Sequence, residues 1–274
     1  MMSRLRLLFG AATLLFAVAC AVVPGTPPST LSGLSAPPEE FLDRLVAQEA
    51  TLRTVRGLAS VRYEGAAGAG TVAQVIVVAL PDRVRLEALS PLGTALFLLT
   101  IRGEDLTVYS PVRNEYGVGH ATRETLGRLA RVPLPPGPLL RLLAGLPPLR
   151  IKAEDPRVQV VGGVGGVGGI MVESVDGPYW QRLWSSPDGL AVERGEVGEA
   201  GDPLLTFEFG DRRQAGVATF PFAIRLEEAT GKSRLAIRYE TVALNIPVED
   251  SLFELPRPAA GQTRIIELSP GSQR

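Results

Sequence analysis

The chain has almost no cysteine, almost no histidine and few aromatic residues. Its 274 residues include one cysteine and one histidine, and aromatics make up 6%. Cys20 has no second cysteine to pair with, so no disulfide holds the fold and the core must do so. With His120 as the sole histidine, a zinc site built on two or more histidine or thiol ligands is excluded. A serine-histidine-acid triad would have to use His120, which lies in GVGHATRE at the lead-in to an expected helix, and no G-x-S-x-G elbow is present. Adjacent acids such as Glu39-Glu40 and Glu227-Glu228 read as hydrated surface, and only tertiary structure could assemble separated carboxylates into a glycosidase pair. The expectation is a protein that is not an enzyme and needs no cofactor or metal. A net charge of -1 supplies no field for drawing in nucleic acid. The apolar run Leu7 to Ala19 is shorter than the ~20 residues of a membrane-spanning helix. The strands also lack the aromatic girdles of a transmembrane barrel.

What the chain does have is a large apolar content: 45% hydrophobic against 21% charged, enough for one sizeable core in a single domain. Arg4 and Arg6 followed by Leu7 to Ala19 have the order of a secretory signal. The ending FAVAC resembles the lipobox of bacterial lipoproteins, which implies cleavage before Cys20 and lipidation of its thiol. The alternative is an ordinary cleaved signal in which the cysteine is incidental. We expect a signal peptide over 1–19 and a Pro, Gly and Ser-rich tether over 20–37 that holds the domain within roughly 20–25 Å of its anchor. Ala21 is not aspartate, which under the sorting rule of enteric bacteria favours the outer membrane.

From Pro38 the spacing of Phe41, Leu42, Leu45, Val46, Leu52 and Val55 predicts one amphipathic helix ending before Gly57, with acids in its first turn. LASVRYEG, TVAQVIVVAL, RVRLEAL, TALFLLTIR and DLTVYS follow, separated by turn residues, as in an antiparallel meander. RVRLEAL alternates strictly, so one of its faces should be wet. TVAQVIVVAL and ALFLLTI are apolar on both faces and need a second cover. The candidate cover is Thr122 to Pro148, which reads as a helix carrying Leu126 and Leu129, a proline break, and a second short helix carrying Leu139, Leu140, Leu142 and Leu143. Helices this short are unstable alone and must lie on the sheet. The remainder is strand-like, giving about ten strands and three helices. That favours a mainly β, α+β fold in which a curved antiparallel sheet forms an incomplete barrel around the helices. GGVGGVGG at Gly162 to Gly169 lacks the Lys-Ser/Thr of a phosphate loop and reads as a hairpin loop.

Ser90-Pro91-Leu92-Gly93 suits a type I turn, with proline second and glycine fourth, and turns Leu92 outward. VRLEALSPLGTALFLLTIRGEDLTVYS and ATRETLGRLARVPLPPGPLLRLLAGLPP together resemble the LolB outer-membrane lipoprotein receptors: strand, x-P-L-G turn, apolar strand, then a helix pair ending in G-x-P. The similarity is densest from Arg83 to Pro148, and LNIPVEDSLFELPRP resembles the ending of lipoprotein-sorting proteins. The Gly-rich loop and the tail after Pro258 depart from the pattern. On this reading the LolB-like lipid-binding domain spans 38–258 and a C-terminal tail spans 259–274.

The resemblance implies an incomplete barrel closed by a helical lid over an apolar cavity, lined by Leu126, Leu129, Leu139, Leu140, Leu142, Leu143, Phe97 and Leu99. It further implies a membrane-insertion loop at Pro91, Leu92 and Gly93. The expected protein is a monomeric receptor on the periplasmic side of the outer membrane. It would take acylated lipoproteins from a LolA-like carrier and release them into outer-membrane lipid. By pattern alone, the same apolar residues fit a filled core. A structural or interaction lipoprotein of the same fold, or a carrier of another lipid such as a glycolipid, therefore stays open.

Overall fold

The computed structural model describes residues 38–66, 68–151, 159–162, 169–259 and 263–268. The expected signal peptide, Cys20 and the tether lie outside the described residues. The described chain builds one sheet of fourteen strands. The first meander is β1 (Thr54–Gly65), β2 (Gly68–Ala79), β3 (Arg83–Leu89), β4 (Ala95–Arg102), β5 (Asp105–Ser110) and β6 (Glu115–His120). The second is β7 (Gln159–Gly162), β8 (Ile170–Asp176), β9 (Tyr179–Ser185), β10 (Val192–Glu199), β11 (Asp202–Ala215), β12 (Ala218–Glu228) and β13 (Ser233–Leu244). Antiparallel pairing of β1 with β13, from Val55↔Leu244 to Gly65↔Ser233, joins the two meanders into one curved surface. Edges remain at β7 and at β14 (Arg264–Leu268), so the sheet does not close into a barrel.

Three helices fill the concave side: α1 (Pro38–Thr51), α2 (Arg123–Leu129) and α3 (Pro136–Leu143). The first is shorter than its periodicity suggested. Leu52 still packs in the core below it, but Val55 belongs to β1, because inward-facing strand positions follow directly and prolong the apolar pattern. One continuous core takes Phe41 and Leu45 from α1, Leu126 from α2, Leu139, Leu140, Leu142 and Leu143 from α3, and inward positions of both meanders such as Ile76, Val78, Ile101, Phe207, Phe220 and Tyr239.

The second face of β2 finds a different cover from the one expected. Ile76 and Val78 point to the helices, whereas Val77 and Ala79 point the other way and pack with Phe253, Val248 and Leu252. This C-terminal strap includes a 3-10 turn at Asp250–Phe253 and also crosses β3. Arg83 pairs with Asp250, Arg85 donates to the Leu252 carbonyl at 3.2 Å, and the Arg83 guanidinium sits 5.5 Å from the Phe253 ring centre. The alternating polar face of RVRLEAL is therefore half-buried rather than wet. The tail beyond Pro258 also departs from expectation: Arg264–Leu268 adds to the domain as a parallel edge strand on β6, from Arg264↔Glu115 to Leu268↔Gly119.

Candidate functional site

The leucine-rich segment after β6 lies across the concave face, and its turns follow from its sequence. Thr122 caps α2, accepting from the Thr125 amide at 3.2 Å. Pro133 and Pro135 separate α2 from α3, and α3 then opens with proline inside its first turn, where no helical N–H is lost. At its end Gly145 takes φ +72°, with Gly145 N–H donating to Leu142 O (3.0 Å) and Leu146 N–H to Arg141 O (2.9 Å), a Schellman stop. A Cβ at Gly145 would meet the Pro221 ring at 2.8 Å, so glycine also sets how closely the helix end approaches β12.

Leu126, Leu139, Leu140, Leu142 and Leu143 are buried, as is Leu99 on β4, while Leu129 and Phe97 pack partly buried against the same core. The sequence-predicted cavity residues thus come together, and here they fill the interior with one another. Full burial of each leucine contributes about 1.5–3 kcal/mol.

Sequence reasoning missed how firmly α3 is held. The Tyr239 hydroxyl donates to Leu143 O at 2.8 Å, and complete burial pushes its pKa above the usual tyrosine value. Gln181, buried on β9, accepts from Leu149 N–H at 3.0 Å and donates to Leu149 O at 3.1 Å and Ser174 Oγ at 2.9 Å. Its amide thus serves as a short piece of strand for the segment after α3. Arg141, buried on α3, donates to Pro147 O at 2.7 Å and pairs with Glu49 of α1. Burial lowers its pKa, opposed by Glu49. The readable sign was an arginine inside PLLRLLAGLPP; nothing local marked Tyr239 or Gln181. α2 has seven residues, is capped by Thr122, buries Leu126 fully and carries the Arg123–Glu199 ion pair at 2.5 Å.

The hairpin between β3 and β4 holds the predicted loop residues at its tip. Gly93 N–H donates to Ser90 O (2.9 Å), and the Ser90 hydroxyl accepts from Leu92 N–H and Thr94 N–H, both at 3.2 Å. Gly93 takes φ +78°, which favours glycine. Pro91 and Gly93 are exposed, and Leu92 is 92% exposed.

Beneath the end of α1 lies an open cleft of about 780 Å³, between α3, the β2–β3 turn, the Pro148–Arg150 segment and the β8–β9 turn. None of the eight predicted cavity residues lines it. Its apolar wall includes Val46, Leu52, Leu80 and Leu149, and its charged groups are Glu49, Arg53, Arg141, Arg150 and Asp176. A second cleft of about 280 Å³, over β11 to β13 and β1, is lined by charges that are all matched: Arg225 with Glu208, Arg234 with Glu227, and Arg62 with Glu64.

His120 ends β6, exposed and opposite Asp105 across the ladder, rather than sitting in a loop. Among the described residues, no cluster of three or more His, Cys, Asp or Glu could hold a metal ion. No helix among them is long and apolar enough to cross a membrane. β7 and β8 pair antiparallel from Gly162↔Ile170 outward, as a hairpin flanking the glycine run whose residues 163–168 lie outside the described chain.

A sheet of this order, curved around three helices and left open at its edges, is matched among solved structures. A LolA superfamily protein from Nitrosomonas europaea aligns with TM-score 0.53 at 12% identity, over 80% of this chain and 98% of that one. The fold is LolA-like. A DUF1329 family protein from Desulfovibrio piger aligns with this chain at TM-score 0.54 and 14% identity, over 79% of this chain and 95% of that one. No protein-family model matches the sequence, and no curated protein matches it. At these identities the likeness establishes the LolA-like fold alone.

Proposed function

We propose that this protein is a LolB-like outer-membrane receptor, anchored through Cys20, that accepts acyl chains of lipoproteins from a LolA-like periplasmic carrier and releases them into the membrane. The observation that carries the reading is the leucine cover of α2 and α3 inside an open-edged LolA-like sheet. The x-P-L-G loop adds support, since it projects Leu92 into solvent from the same sheet. Because the interior is filled by side chains, an incoming chain must displace part of the cover. Burial contributes about 0.8 kcal/mol per methylene, so roughly fifteen methylenes supply about 12 kcal/mol against that displacement. The parting element is α2, the shorter of the two helices, while α3 stays fixed through Tyr239, Gln181 and Arg141. No covalent step is involved.

The test presents carrier-bound acylated lipoprotein to the purified protein and follows its transfer into liposomes. Cargo acceptance and release into the bilayer are expected; failure to accept any acylated cargo overturns the proposal. The filled interior favours a second reading, an envelope interaction module of the same fold. That reading is supported if the purified protein carries no lipid and takes none up. A carrier of another lipid, such as a glycolipid, would be recognised by mass spectrometry of what co-purifies.

A further inference from the structure

The 780 Å³ cleft shares α3 with the leucine cover but is lined by none of the eight predicted cavity residues, and only part of its charge is matched internally. Arg141 and Glu49 satisfy one another at its back. Arg53 and Arg150 are exposed along it, and neither forms an ion pair among the described residues; neither does the remaining acid, Asp176. The Arg53 main chain is bonded to Asn245 Oδ1 (2.7 Å) and Leu80 N–H (2.9 Å), and its guanidinium donates at 3.4 Å to the neighbouring Leu52 O. Two guanidinium groups and one carboxylate without an ion pair among the described residues thus line the cleft together with an apolar wall of Val46, Leu52, Leu80 and Leu149. In the 280 Å³ cleft, by contrast, every guanidinium already has its carboxylate. The larger volume lies within the ~300–1,000 Å³ usual for small-molecule sites. Guanidinium groups bind carboxylate and phosphate in a forked, charge-assisted geometry, and the apolar wall suits hydrocarbon.

We propose that this cleft binds an anionic amphiphile, with Arg53 and Arg150 on the acidic head and the α1–α3 wall on the first part of its chain. The inference rests on the lipid-handling reading only in taking the ligand to be an amphiphile. Its chemistry is a singly or doubly charged oxyanion joined to hydrocarbon, as in a fatty acid or a phospholipid head.

The experiment uses the full chain and measures binding of oleate, of its uncharged glycerol ester and of inorganic phosphate. Oleate should bind at least about tenfold more tightly than the ester, because only oleate engages the guanidinium groups. Phosphate, lacking a chain, should bind more weakly than oleate. The double variant Arg53→Gln, Arg150→Gln changes only exposed side chains and should melt like wild type. It should lose about tenfold in oleate affinity and leave the ester unchanged. Ala50→Trp, on the exposed rim of α1 within the cleft, should reduce both ligands. Equal binding of oleate and ester, or an indifferent double variant, overturns the proposal; so does phosphate binding as tightly as oleate, which would remove the apolar half. If lipoprotein transfer persists while oleate and ester bind equally, the cleft assignment fails and the receptor reading stands. Loss of transfer with oleate selectivity intact separates the two the other way.

Discussion

Replacing Leu92 with glutamate changes a side chain that is 92% exposed and whose only local role is to occupy the third position of a turn. The hydrogen bonds that close this hairpin come from the Ser90 hydroxyl and from the main chain of Leu92, Gly93 and Thr94, so the substitution removes none of them. Stability should change by no more than about 0.5 kcal/mol, as for surface positions generally. Membrane contact is a different matter. Full burial of a leucine side chain is favourable by about 1.5–3 kcal/mol, and each 1.4 kcal/mol is a factor of ten, so losing that term alone weakens loop insertion roughly ten- to a hundredfold. A carboxylate at the same point adds a desolvation cost. The assay is transfer of acylated lipoprotein from carrier to liposomes, with thermal unfolding run in parallel. The expected result is an unchanged melting temperature, normal cargo acceptance and a loss of release into the bilayer by at least about tenfold. Equal release by wild type and Leu92→Glu would refute the insertion role and return Leu92 to an ordinary exposed residue.

Leu140→Ala, at a fully buried position of α3, should lower stability by about 2–5 kcal/mol in chemical denaturation, and Leu140→Glu should leave little folded protein because an unpaired charge would enter the core. Tyr239→Phe should cost about 1–3 kcal/mol by stranding the Leu143 carbonyl. The same hydroxyl carries a pH signature. Burial raises its pKa above the ordinary 10.0, so its contribution is fully present below pH 10.0 and is lost as pH rises beyond it. The stability gap between wild type and Tyr239→Phe should therefore narrow under alkaline conditions, and an unchanged gap would contradict the buried hydroxyl. Gly145→Ala should lower the melting temperature, at about 2–4 kcal/mol, because it combines a left-handed backbone with a contact at 2.8 Å to Pro221.

Periodicity made much of the architecture legible. Strict alternation in RVRLEAL marked a strand, prolines and Gly145 marked the helix breaks, and Ser90 to Gly93 marked a turn that points Leu92 outward. Each of these is a local property, fixed by side-chain direction or by backbone sterics. The misses were long-range. The apolar outer face of β2 announced that something must cover it, yet the cover, Val248 to Phe253, lies far along the chain and carries only three apolar residues to identify it. The β14 strand was invisible because edge pairing depends on a neighbour rather than on its own pattern. Arg53 and Arg150 could not be joined from sequence, since one follows α1 and the other follows α3, and only folding brings both to one cleft.

By itself the sequence determined that this is a mainly β protein with too few histidine and thiol groups for a disulfide or for a zinc site built on two or more of them, with a leucine-rich helix pair too short to stand alone and a turn that exposes one leucine. Those conclusions need only composition and spacings of a few residues. Tertiary structure alone decided that the helix pair fills the concave face, that Tyr239, Gln181 and Glu49 pin α3 there, and that two arginines without an ion pair among the described residues share a cleft. Each joins segments roughly thirty to a hundred residues apart, where the energy depends on distance and burial that no local pattern encodes.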